Sequence, residues 1–175
     1  VSFKRAVEIT LDFEGEQSDH PEDPGGLTRF GIAQRWHPTV DVAALDRAGA
    51  MHLLCTEYWR PIRGDSLPWP LAAAVFDHAV HSGPRQAVIA LQRAAGAPPD
   101  GIVGTRTLAA VADAAPRALL AEVLALRARE LARTGKATFV AGWMARLAQL
   151  GLLLGMELAQ TPQEPRVTLR ARPGE

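Results

Sequence analysis

The stretch FEGEQSDHPEDPGGLTRFGI, residues 13–32, decides how this chain reads. It follows an apolar periodic segment over residues 2–14. There Phe3, Val7, Thr10 and Glu14 step by four, three and four, so they share one helical stripe. Ala6, Ile9 and Phe13 widen that stripe, while Lys4, Glu8 and Asp12 take the opposite face at one-turn spacing. Ser2 suits an N-cap and Gly15 a C-terminal stop. Glu14 is therefore expected at the negative end of the helix dipole near apolar neighbours. Both effects disfavour its ionised form and raise its pKa. Taken alone, this helix also fits a surface Glu at a helix end.

Outward from Glu14, Asp23-Pro24-Gly25-Gly26 is strong turn chemistry, with Pro24 and Gly25 at the central positions of a type II turn. Asp23 is expected polar, solvated and ionised at its lip. An Asp that merely caps its own turn is the bland alternative. Leu27 to Ile32 reads as a short strand or hairpin arm, with Thr28 five positions beyond Asp23. Two carboxylic acids in unlike surroundings match the needs of glycosidic bond cleavage, in which one protonates the leaving oxygen and the other assists water or the cationic transition state.

At these residues the sequence resembles glycoside hydrolase family 108, the N-acetylmuramidases of the lysozyme superfamily found in phages and prophages. The resemblance rests on Phe13-Glu14-Gly15, Asp23-Pro24-Gly25-Gly26, Thr28 and Gly31-Ile32. It continues through Tyr58-Trp59, Leu67-Pro68 and Phe76-Asp77-His78-Ala79-Val80-His81-Ser82-Gly83-Pro84. Leu91-Gln92, Asp100-Gly101, Gly104 and Thr107 resemble the family's peptidoglycan-binding region, and Gly142-Trp143 with Arg146 a late helical motif. It covers roughly residues 3–150. It implies a mainly α, lysozyme-like α+β domain with a small β-hairpin near its N-terminal catalytic region. Residues 1–83 would form the catalytic region, 84–160 a helical region carrying the peptidoglycan-binding segment in the same domain, and 161–175 a flexible tail. It implies Glu14 as general acid, with Asp23 and Thr28 placing the water. Gly31, Tyr58, Trp59, Asp77 and His81 are the candidate substrate contacts.

Three departures stand out. Glu16-Gln17 replaces the usual Gly-aromatic pair after Glu14-Gly15, His81 stands where Asn is common, and Thr105 where Pro is common. A second acid at Glu16 would raise the Glu14 pKa further or compete for its role.

Composition agrees with a globular enzyme. The 175 residues are 47% hydrophobic and 22% charged, enough for one domain with a real core. A formal net charge of zero gives no nucleic-acid footprint and no strong pull toward the anionic wall. The single cysteine, Cys55, forms no internal disulfide and is expected as a buried, inert thiol. No cofactor is expected. Asp77, His78 and His81 on one helix would supply only part of a metal site. Trp36 and Trp69 join Tyr58 and Trp59 as candidates for sugar stacking, although each type is more often core.

The remaining chain reads helical. Helices are expected over about 46–59, 70–82, from Pro84, 116–135 and 137–160. In the fourth, Leu120, Leu124, Ala128 and Leu131 face inward while Arg127, Arg129, Glu130 and Arg133 face solvent. From Phe139 to Met156 the only charge is Arg146, but Gln149 and several glycines favour a core helix over a stable membrane insertion. Val1 to Arg5 lack a signal-peptide pattern. The expectation is a monomer made in the cytoplasm and acting on peptidoglycan glycan strands in the periplasm for cell lysis, with a holin as delivery partner implied by the family. Two rivals stand beside this reading. One is a non-catalytic peptidoglycan-binding or export-assisting protein. The other is a stem-peptide peptidase or amidase, for which His52 and Cys55 are the nearest pair.

Overall fold

The computed structural model describes residues 2–14, 17–18, 27–133 and 137–160, with side chains for 2–11, 27–133 and 140–160. Among them the order is α1 (Ser2–Glu14), β1 (Gln17–Ser18), β2 (Thr28–Arg29), β3 (Ile32–Ala33), α2 (Arg47–Leu54), α3 (Leu71–Ser82), α4 (Pro84–Ala95), α5 (Thr105–Asp113), α6 (Pro116–Arg133) and α7 (Ala137–Gln160). The fold is mainly α with one small antiparallel sheet, as the lysozyme-like expectation has it.

α3 is the central element. Every residue from Leu71 to Ala79 is buried, and the run of small and apolar side chains lets α1, α4, α6 and α7 all approach it. Its ends follow from local chemistry. Ser82-Gly83 closes it, with Gly83 at φ +86, and Pro84 starts α4 at a position where a missing N–H costs nothing. α1 buries Ala6, Val7, Ile9 and Thr10 and keeps Lys4 and Glu8 paired in solvent at 4.0 Å.

The expected helix over 46–59 divides. Asp46 caps it through the Gly49 N–H, and α2 runs only to Leu54. Cys55–Trp59 widens into a π-helical turn in which the Arg60 N–H donates to the Cys55 carbonyl. The Thr56 hydroxyl donates to the His52 and Leu53 carbonyls and competes with the α ladder there. Cys55 is half-buried rather than buried.

α7 turns Leu147, Leu150, Leu154 and Leu158 inward and leaves Leu152 and Met156 exposed. Its charges point the other way from expectation for a surface helix. Arg146 reaches Asp77, and Glu157 reaches Arg5 and the Trp69 indole. Among the described residues, no helix is long and apolar enough to cross a membrane.

Candidate functional site

The N-terminal candidate site lies where the chain leaves α1 and enters the sheet. α1 ends at Glu14, and β1 begins three residues later. Ser18 pairs with Thr28 and Thr28 with Ala33, so Thr28 lies on the middle strand. The backbone thus brings Thr28 alongside the chain that leaves the Glu14 helix end. The Glu14 side chain, Gly15, Glu16, Asp23 and the Asp-Pro-Gly-Gly turn lie outside the described residues.

The β2–β3 connection is a two-residue turn, Phe30-Gly31, with φ +54 and +74. Positive φ at both positions is the demand of a type I′ hairpin, whose twist matches its strands. Gly31 meets it freely and thus has a conformational duty at this site. Phe30 meets it under strain, offset by burial of its ring, which also carries the Arg29 guanidinium 5.3 Å from its centroid.

Beyond β3 the chain forms a self-bonded loop. The Gln34 amide donates to the carbonyls of His37 and Val40 at 3.0 and 2.7 Å and accepts from the Val42 N–H at 3.2 Å. Buried His37 places Nδ1 3.1 Å from the Ala33 carbonyl and Nε2 3.0 Å from Glu57 Oε2. The Tyr58 hydroxyl lies 3.3 Å from the same Nε2. Burial, with Glu57 beside it, pushes the Tyr58 phenol up to about 12, so it stays neutral. Nothing in the sequence marks the His37–Glu57 pair, whose members are twenty positions apart.

Trp36, close by on the Gln34–Trp36 turn, is 70% exposed with Arg35 over its ring at 5.6 Å, an open face suited to stacking. Two other sequence candidates need correction. Trp59 is 1% exposed, enclosed by Phe3 at 5.5 Å and Phe76 at 5.7 Å, and offers no face to a sugar. Asp77 is fully buried between Arg127 and Arg146 and contacts them instead of a substrate. Arg127 is correspondingly buried rather than solvated. His81 shares that face of α3, as its four-residue spacing from Asp77 implies. It is half-buried with its ring edge-on to Trp143 at 5.2 Å. Trp69 is half-buried, with its N–H donated to Glu157. His78 Nε2 meets Glu130 at 3.0 Å. Among the described residues, no three His, Cys, Asp or Glu side chains are grouped to hold a metal ion.

In the second half, α4 ends at Gly96 with φ +73, and the Ala97 N–H returns to the Gln92 carbonyl. Buried Gln92 then organises the following loop. It donates to Asp100 Oδ1, the Ile102 carbonyl and Thr107 Oγ1, and accepts from the Gly101 N–H. The Gln, Asp-Gly and Thr of the sequence motif are thus one hydrogen-bonded unit joining α4 to α5.

Comparison with known proteins agrees with both halves. The family model described as glycosyl hydrolase 108 matches residues 7–83, and that described as a predicted peptidoglycan domain matches 86–148. Among solved structures, Brucella abortus SagA superposes with a TM-score of 0.83 at 33% identity, over 91% of this chain and 96% of that one. No curated protein sequence matches.

Proposed function

The chain belongs to the glycosyl hydrolase 108 family, and from that premise we propose that it is an N-acetylmuramidase with Glu14 as its general acid. At the coarser level it is a glycoside hydrolase acting on peptidoglycan. The finer reading is hydrolysis of the β-1,4 bond between N-acetylmuramic acid and N-acetylglucosamine in periplasmic glycan strands. Glu14 donates its proton to the leaving oxygen. Asp23, with Thr28, orients the water or stabilises the oxocarbenium-like transition state. Trp36 and Tyr58 flank the sugar path.

The observation that supports this reading is the strand register. Thr28 pairs with Ser18, four residues past Glu14, so the strand that follows the acid's helix lies alongside the Thr. Release by a phage-derived lysis system, with a holin for delivery and the enzyme acting as a monomer, completes the proposal.

The test is product analysis by mass spectrometry after digestion of purified peptidoglycan. New reducing ends on N-acetylmuramic acid are expected. New ends on N-acetylglucosamine, or free stem peptides, would assign a different bond. Tight wall binding without any product would favour the binding-protein alternative.

A further inference from the structure

We propose that His37 is a positioning residue for the hairpin that carries Thr28, anchored from the other side by Glu57 and Tyr58. The inference rests on the muramidase reading above, since it deepens the role of Thr28 within it.

His37 ends the segment that continues β3, and its ring bridges two elements. Nδ1 meets the carbonyl of Ala33, the residue paired with Thr28. Nε2 meets Glu57 and Tyr58 on the π-helical turn. One ring nitrogen thus faces a backbone oxygen of the hairpin and the other the side-chain oxygens of the π-helical turn, so the imidazole spans the gap between the two elements. Because the Gln34 side chain bonds the loop to itself, residues 33–42 behave as one block. Displacing that block displaces Ala33, and through the ladder Thr28.

The π-helical turn supplies the far end of this tie. It directs Trp59 into the core while Glu57 and Tyr58 both reach the imidazole. Single π turns inside helices recur at functional sites. The Glu57 side chain is 52% exposed, so the pair adds little to global stability. Its value is geometric. Arg29 donating to the Ala43 carbonyl, the Gln34 N–H donating to the Leu27 carbonyl at 2.9 Å and the buried Ile32 hold the hairpin from its other sides.

The experiment compares His37→Ala, Thr28→Ala and the double variant on purified peptidoglycan, well below each melting temperature. Losing His37 is expected to lower kcat about tenfold, the scale of a small misplacement of catalytic groups. KM should stay within about twofold, since ground-state binding is untouched. The double variant should be no slower than Thr28→Ala alone. Glu57→Gln, which keeps an acceptor, should retain more kcat than Glu57→Ala. In parallel, amide hydrogen exchange over residues 28–33 should accelerate in His37→Ala. Glu57→Ala, at a half-exposed position, serves the same purpose if His37→Ala folds poorly. Unchanged kcat and unchanged exchange in folded variants would overturn the proposal, as would losses that multiply in the double variant. If the wild type releases no glycan product, the muramidase reading fails, and hydrogen exchange alone decides whether His37 holds the hairpin.

Discussion

Asp77 stands on α3 with no exposed surface, between Arg127 of α6 and Arg146 of α7. Burial pushes its carboxyl up, but the two guanidiniums more than reverse that and hold it at about 2. A pKa lowered on folding gives stability that is present above the unfolded value near 4 and lost as pH falls toward 2. Asp77→Asn should flatten the acid dependence of urea unfolding in that window. Asp77→Ala, which leaves two buried cations unpaired, should cost roughly 3–5 kcal/mol. His81 works in the opposite charge sense. Burial, then Arg127 and Arg146, lower its pKa to about 4. The unfolded chain therefore takes up a proton near pH 6.5 that the fold refuses, so stability is full above that value and declines between pH 6.5 and 4. His81→Asn should remove that decline, read from unfolding midpoints at pH 7 and 4.5. An unchanged slope would contradict it. None of this was legible at the residue level. The sequence shows Asp77 and His81 one turn apart, which the structure keeps, but Arg127 and Arg146 lie 50 and 69 positions from Asp77. A charge at a helical position reads as solvated until its distant partner is known.

Elements were far more legible, because their ends are written in local chemistry. The Ser82-Gly83-Pro84 junction and Pro116 stand where the sequence places them, and the turn residues of Gly96 to Gly104 form the α4–α5 connection. Leu27 to Ile32, read as one strand or hairpin arm, is instead divided by the Phe30-Gly31 turn into β2 and β3, and β1, only two residues long, carries no periodic signal. The π-helical turn was also hidden, since apolar spacing alone continues α2 to Trp59. Its packing makes a sharp prediction. Gly64 is buried against the Trp59 indole, and a Cβ there would lie 2.4 Å from two ring atoms. Phe3 and Phe76 bracket that ring, so it has nowhere to move. Gly64→Ala should destabilise by about 1–3 kcal/mol through overpacking, a fall of several degrees in Tm. A Tm equal to wild type would show that the aromatic cluster yields.

At the scale of the molecule, one hydrophobic core runs from α1 through the buried α3 to α7. The hairpin is fastened to it by Phe30 and Ile32, and the Gln92-centred loop by Val103 and Val111. In chain order, the helix that ends at Glu14 leads into the small sheet, and the helical hairpin of the peptidoglycan-domain match follows α3. The family was legible from the motif around Glu14, Asp23 and Thr28, because the turn chemistry there is strong. Which tryptophan offers an open face was not legible, because burial sorts Trp59 from Trp36 and no local pattern does. The central claim is that Glu14 supplies the proton. Its most direct test is release of soluble muropeptides from purified peptidoglycan by wild type and Glu14→Gln, matched for fold by circular dichroism and Tm. Loss of one general acid typically costs about a hundredfold or more, so the account predicts N-acetylmuramic acid reducing ends from wild type and essentially none from the variant. Comparable release by a well-folded Glu14→Gln protein would contradict it.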